Sequence, residues 1–258
     1  MEFSIVYNQI QKIFNIDIPI TDICNLNCAG CLSFSSLSSK PGNIDIQSTV
    51  KSIKTLIDKC CVPVSITLSG GEPLLYPHLK ELIHEIRLIY TGEIKILTNG
   101  ILLEKRLDDI LEVDEVLFSV YPGLKYNKQI LLLKSLGIRY SIHCRKKDHF
   151  INLGLSDKNL SDAKKVFKEK CFLNCLSLKD NKLFCCRITS NIHILNKYFK
   201  TNFEIKKGDY LDIDKISSKE DIFKFIDTIH PFCSYCNFDS TLEWGKSKKL
   251  AQEWIFKS

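Results

Sequence analysis

Long apolar runs, a secretory leader and an arginine-rich stripe are all missing from this sequence, and each absence excludes a class of function. No uninterrupted apolar run is long enough to span a bilayer, which takes about 20 residues. The first twelve residues interleave Glu2, Gln9 and Gln11 with apolar side chains, so the continuous apolar core of a signal peptide is absent. A cytoplasmic location is therefore expected. The formal charge of +6 comes mostly from lysines balanced by Asp and Glu along the chain. Nucleic acid is thus not an expected partner, and only a mild attraction to anionic substrates or carriers follows. No repeat or low-complexity tract interrupts the chain. Its 258 residues, 45% hydrophobic and 26% charged, can bury a sizeable core as one large domain or a domain with an appendage.

Cysteine is what the chain has in excess. Twelve cysteines in a chain without a secretory leader argue for metal binding or redox chemistry and against a disulfide framework. Cys24, Cys28 and Cys31 lie within one short stretch, CNLNCAGC. Cys60 and Cys61 are adjacent, and Cys144 stands alone. Cys171, Cys175, Cys185, Cys186, Cys233 and Cys236 crowd the last third. Two ligand-rich regions therefore flank a cysteine-poor middle.

The pattern between them alternates strand and helix. Strands are expected at Ile16 to Ile20, Val64 to Leu68, Glu93 to Leu97, Glu115 to Val120 and Ile138 to His143. Helices are expected at Ile46 to Lys59, Pro77 to Ile89, Leu102 to Leu111 and Lys128 to Leu136, from apolar spacings such as Val50, Ile53, Leu56 and Ile57. Strands separated by helices of about a dozen residues imply βα units and parallel pairing. The fold expected is α/β, a partial (β/α)6 TIM-like barrel with functional loops at the C-terminal strand ends. The cysteine loop, Ser69-Gly70-Gly71-Glu72-Pro73, Thr98-Asn99-Gly100 and Ser119 all fall at such ends. Beyond a soft boundary near residue 150, Lys146 to Lys158 reads as polar loop and Ser161 to Lys170 as helix. Leu176 to Phe184 reads as a hairpin turning at Lys179-Asp180-Asn181-Lys182. The domains expected are 1–150 and 151–258.

Three thiolates can hold three irons of a cubane cluster and leave the fourth iron open to another ligand. Structural zinc normally takes four closed ligands, and the CxxxCxxC stretch supplies three. Two glycines after the second strand allow close approach of backbone to a ligand. A GGE turn alone would be commonplace; one strand after the cysteine loop it is specific.

CNLNCAGC after the first strand, with SGGEPLL after the second, resembles the radical S-adenosylmethionine (SAM) superfamily. The resemblance implies that Cys24, Cys28 and Cys31 ligate a [4Fe–4S] cluster and that SAM chelates the open iron. It implies that Gly70, Gly71 and Glu72 contact the methionine end of SAM. Reductive cleavage of SAM would give a 5′-deoxyadenosyl radical that abstracts hydrogen from substrate. Thr98, Asn99 and Ser119 become candidates for the ribose or carboxylate; each would otherwise be a helix cap. Many members carry an aromatic residue just before the third cysteine, where this chain has Gly30, so Phe34 or a backbone contact would have to meet the adenine.

LTNGILL, FSVYPGL, and PFCSYC before TLEWGKSKK are similar to a subgroup with a second cluster domain, often encoded among glycosyltransferase genes. That likeness implies a small C-terminal twitch-like domain, a shortened relative of SPASM, with an auxiliary [4Fe–4S] cluster. Its ligands would be Cys175, Cys186, Cys233 and Cys236, with Cys171 an alternative to Cys175 and Cys185 a neighbour. A zinc ribbon from the same cysteines is the competing reading. The expected enzyme oxidises or epimerises a small, carbohydrate-related substrate and takes electrons from a flavodoxin or ferredoxin. Cys144 is a candidate hydrogen donor in the epimerase case. His143, Arg145 and Lys147 could hold an anionic group. Cys60 and Cys61 read as a small buried pair, and Trp244 and Trp254 as packing for the tail. A peptide-modifying enzyme, a glycyl-radical activase and a non-catalytic metal-bound module are the alternatives.

Overall fold

Alternation in the first strand sets the architecture. In β1 (Asn15–Thr21), Ile16, Ile18 and Ile20 are buried together with Ile66 and Leu68, Ile94 and Ile96, and Val116 and Phe118. Those pairs come from β2 (Ser65–Gly70), β3 (Glu93–Thr98) and β4 (Glu115–Ser119). The computed structural model describes residues 14–59, 61–119, 121–143, 149–156 and 175–256. β5 (Arg139–His143) completes a run of five parallel strands.

Helices cover the apolar face. In α1 (Ile46–Asp58), Ile53 and Leu56 are buried, and Asp45 caps the first turn by accepting the Ser48 N–H at 2.7 Å. In α2 (Leu79–Ile89), Leu79, Leu82, Ile83 and Ile86 form one stripe. Leu102 to Leu111 was expected to be helical and instead holds a 3-10 run, Leu103–Asp109, kinked at Arg106. α3 (Asn127–Ser135) packs Leu133 inward. On the opposite face of the sheet Lys95 lies 3.0 Å from both Glu93 and Glu115, and Arg139 lies 2.6 Å from Glu93. That face is thus polar at the N-terminal strand ends and leaves the C-terminal ends to the loops.

Two arrangements differ from the expected barrel. The sixth parallel neighbour does not follow β5. It is β7 (Cys175–Lys179), which joins the other side of β1, with Asn15 opposite Cys175. β8 (Lys182–Phe184) and β9 (Tyr210–Asp212) continue antiparallel, giving the order β5-β4-β3-β2-β1-β7-β8-β9. The physical reason is the edge of β1, whose buried backbone groups need a partner. The hairpin at 176–184 is present, and its turn residues Asp180 and Asn181 have φ of 49° and 58°, the pair of positive values that a tight I′ turn requires.

The second difference is at 149–156, expected as loop. It is β6 (His149–Ser156), which pairs antiparallel with β10 (Cys236–Glu243) and parallel with β11 (Ile255–Phe256). A boundary near residue 150 therefore falls inside a strand, and the chain beyond it contributes to both sheets. A second apolar core gathers there around α4 (Arg187–Phe199), with Ile188, Ile192 and Leu195 packed on Phe34, Leu155, Phe232 and Trp254. α5 (Lys219–Ile226) instead sends Ile222 and Phe225 into the main core. Asp17 of β1, 2% exposed, receives a bidentate ion pair from Arg187, at 2.5 and 2.9 Å. The expected helix at Ser161 to Lys170 lies outside the described residues, and no helix among the described residues is long and apolar enough to cross a membrane.

Candidate functional site

The cysteine loop leaves the C-terminal end of β1, and the Gly-Gly-Glu loop leaves the neighbouring end of β2. Backbone hydrogen bonds join them. Gly71 N–H donates to the Thr21 carbonyl and Glu72 N–H to the Ile23 carbonyl, both at 2.7 Å. The two glycines are there for this approach. A Cβ on Gly71 would stand 2.2 Å from the Ile23 carbonyl oxygen, and one on Gly70, at φ +134°, would stand 2.4 Å from that of Thr21. So the glycines expected to admit a ligand admit, first of all, the root of the cysteine loop. Gly71→Ala is therefore expected to push that loop away, costing about 1–3 kcal/mol by overpacking and most of the iron bound on reconstitution. Full iron loading with an unchanged urea midpoint would contradict this.

Glu72 is 1% exposed and ties the loop to β3. Its carboxylate accepts from Thr98 Oγ1 at 2.5 Å, from Asn99 N at 2.8 Å and from Leu74 N at 3.1 Å. Burial pushes its pKa up, against the pull of those three donors. Thr98 thus spends its hydroxyl proton on Glu72, and its oxygen accepts the Gly100 N–H. Asn99 donates Nδ2 to Asn25 Oδ1 at 2.7 Å, a second tie to the cysteine loop. Ser119 is half-buried at the end of β4, where its carbonyl accepts from the Tyr126 hydroxyl. Phe34 is 2% exposed within the second core, so it is core packing and not a free adenine platform.

The thiols themselves sit close together. Burial pushes Cys24 from an ordinary 9.0 up to about 12; the Leu26 N–H, 3.4 Å from its sulfur, pulls the other way, and Cys31, Glu72 and Cys28 add to the rise. Cys28 rises to about 11, chiefly from burial and opposed by a hydrogen bond from Trp244. Any cation that takes these sulfurs must displace their protons. Two N–H groups aimed at sulfur suit thiolate ligands. Among the described residues no three Cys, His, Asp or Glu side chains converge tightly enough for a single metal ion. Three thiols supply three of the ligands that a [4Fe–4S] cubane takes, one short of the four that close a structural zinc site.

Sequence reasoning missed the far walls of this site. Tyr121, two residues past the end of β4, is pushed well above the usual phenol range by burial and by the charges of Cys28, Cys31, Cys24 and Glu72. Its ring lies 5.8 Å from that of Trp244. Trp244 and Trp254 were expected only to pack the tail; Trp244 Nε1 donates to Cys28 Sγ at 3.4 Å and Trp254 Nε1 to the Cys31 carbonyl at 3.0 Å. The YPG turn was a visible signal for Tyr121. TLEWGKSKK was a visible motif around Trp244, but nothing local ties either tryptophan to a cysteine more than 200 residues away.

The second cysteine group is partly assembled. Cys186 caps the N-terminus of α4. A hydrogen bond from Cys185, helped by donors at Thr189 and Ile188, lowers its thiol to about 7 despite burial. Cys185 is correspondingly pushed up, and Cys233 is near enough to add to that. Cys175 opens β7, and Cys185 and Cys186 directly follow its antiparallel partner β8. Cys236 opens β10. Cys61 is buried in the main core. Cys60, Cys144, Arg145, Lys147 and Cys171 lie outside the described residues.

Comparison with known proteins agrees with this geometry. The Radical SAM superfamily profile matches residues 18–146, half of the chain. GTP 3′,8-cyclase of Chlorobaculum tepidum is 33% identical over 98 residues, covering 38% of this chain and 29% of that protein. GTPase Obg of Brachyspira hyodysenteriae is 25% identical over 301 aligned positions, covering 96% of this chain and 42% of that protein. The chain thus spans less than half the length of these relatives. A crystal structure of BtrN in complex with AdoMet and 2-DOIA matches with a TM-score of 0.56 at 18% identity, covering 88% of this chain and 94% of that one, which shows a shared fold. The cysteine loop and the Gly-Gly-Glu loop both fall inside the matched segment, and the chain belongs to the radical SAM superfamily.

Proposed function

We propose that this chain binds a [4Fe–4S] cluster through Cys24, Cys28 and Cys31, and SAM beside the Gly70-Gly71-Glu72 loop, to abstract hydrogen from a small, carbohydrate-related substrate. The observation that carries the reading is the backbone junction between those two loops, with both hydrogen bonds at 2.7 Å. Because the N–H groups of Gly71 and Glu72 are spent on that junction, an arriving ammonium group meets the carbonyl side of the loop. That is the side a methionine amino group needs. Glu72 holds the loop on Thr98 and Asn99, so Thr98 acts through Glu72, while Asn99 and Ser119 remain the candidates for the ribose or carboxylate. Tyr121 and Trp244 shield Cys28 from water. The bound cofactors supply the radical; the protein supplies position and dryness.

We assign a second [4Fe–4S] cluster to Cys175, Cys186, Cys233 and Cys236, with Cys171 the alternative to Cys175. The placement of Cys186 at a helix N-terminus, with Cys233 near its neighbour Cys185, supports it, since thiolate is the ligating form. An electron acceptor there favours dehydrogenation; a hydrogen returned by Cys144 would give epimerisation. The fold shared with BtrN, which was crystallised with AdoMet and 2-DOIA, supports a small-molecule substrate. The reductant is a flavodoxin or ferredoxin and the location cytoplasmic. The GTPase activity named for the Brachyspira relative is not carried over, because the sequence has no G-x-x-x-x-G-K-[ST] phosphate loop.

The test is anaerobic reconstitution with iron and sulfide, reduction with dithionite, and assay of 5′-deoxyadenosine. About eight irons per chain and SAM cleavage are expected; about four irons with zinc would replace the second cluster by a zinc site. Intact clusters without SAM cleavage would overturn the enzyme reading.

A further inference from the structure

We propose that Trp244 is a positioning residue for the cluster at the cysteine loop, its indole N–H to Cys28 Sγ raising that cluster's reduction potential. The inference rests on Cys28 being a cluster ligand. Its own ground is the 3.4 Å contact between Trp244 Nε1 and Cys28 Sγ, made to a cysteine only 7% exposed. Indole offers a donor and no acceptor, so the contact can only withdraw charge from sulfur. Hydrogen bonds to cluster sulfurs and exclusion of solvent are among the factors that set iron–sulfur potentials. A donor to sulfur favours the reduced, more negative state.

The donor is held in place by its neighbours in sequence. Ala29 N–H donates to the Gly245 carbonyl at 3.0 Å and Ser247 N–H to the Asn27 carbonyl at 2.7 Å. Asn27 Nδ2 returns a bond to the Ser247 carbonyl at 3.2 Å, and Cys28 faces Lys246 in an antiparallel bridge. Residues 244–247 thus lie across the cysteine loop as a short strap. The Tyr121 ring packs beside the indole, with centroids 5.8 Å apart and planes tilted by 56°. Upstream, Glu243 is paired with His149, so the strap hangs from an anchored strand. Trp254 gives an internal comparison, because its N–H meets the Cys31 carbonyl and not a sulfur.

Trp244→Phe keeps a ring against Tyr121 and deletes the N–H. In reconstituted protein, an anaerobic redox titration followed by electron paramagnetic resonance is expected to show full iron content and a midpoint potential shifted downward. Trp254→Phe is expected to leave the potential where it was. An unchanged potential in Trp244→Phe, or an equal shift in both variants, would overturn the proposal. Should Trp244→Phe hold no iron, the Trp254→Phe chain grown on 4-fluorotryptophan decides the matter, since Trp244 is then the sole indole (the chain has two tryptophans). A more acidic N–H is expected to shift the potential upward, and no shift would overturn it. Failure of the underlying assignment looks different: Cys28→Ala would retain the full wild-type iron content and every cluster signal of the wild type.

Discussion

Cys28→Ala is expected to lose the cluster at the cysteine loop and to cut 5′-deoxyadenosine formation by more than about 100-fold, the upper loss typical for removing a mere supporting group around a metal. The comparison that gives this meaning is Cys61→Ala. Cys61 is as fully buried as any residue in the chain, yet it sits in the main apolar core. Its replacement is expected to cost about 1–2 kcal/mol of stability and leave iron and SAM cleavage intact. Iron content and product formation, measured side by side, separate loss of a ligand from loss of packing. Equal iron loss in both variants would mean that Cys28 acts through stability alone. SAM cleavage persisting in Cys28→Ala would remove it from the cluster.

The largest expected effect on stability lies at Arg187. Its guanidinium grips Asp17 through two hydrogen bonds, with the Asp17 side chain 4% and that of Arg187 20% exposed. Arg187→Ala leaves a carboxylate inside the sheet without that partner, which typically costs about 3–5 kcal/mol. The change falls where β1 meets the first turn of α4, directly after Cys185 and Cys186. The variant is therefore expected to loosen the register between β1 and β7 as well. Urea unfolding measures the first effect, and hydrogen exchange at residues 175–179 measures the second. Asp17→Asn combined with Arg187→Met is expected to recover much of the loss, because neither side then buries a lone charge. A drop below about 1 kcal/mol in the single variant would show that the pair contributes no more than a surface ion pair does.

Local chemistry was legible in the sequence, and long-range pairing was not. The strands from Ile16 to His143 were readable because β-branched runs alternate with amphipathic stripes such as Leu79, Leu82, Ile83 and Ile86. The hairpin turn announced itself in Asp180-Asn181. At the site, the thiols and the Gly-Gly-Glu loop were visible as motifs, yet the purpose of Gly71 was not. Its hydrogen would face a ligand or the chain's own carbonyl with equal ease until coordinates distinguish them. β6 was misread because Lys146 to Lys158 is polar on average, and its partners lie some 80 to 100 residues later. No pattern in Cys175-Leu176-Ser177 could indicate pairing with Asn15-Ile16-Asp17. Trp244 shows the same limit, since a hydrogen bond spanning 216 residues leaves no local trace.

β10 has one more consequence. It begins at Cys236, proposed for the auxiliary cluster, and its last residue is followed at once by Trp244 on Cys28. At about 3.3 Å per residue, eight steps of strand fix about 26 Å as the greatest distance between those two positions. The strand is laced to β6 on both sides of a register shift between Asn237 and Ser240, which limits how far it can stretch or coil. It works as a gauge, setting how far Cys236 can stand from the strap over the cysteine loop. Adding or removing residues in this strand would reset that distance, whatever side chains surround it.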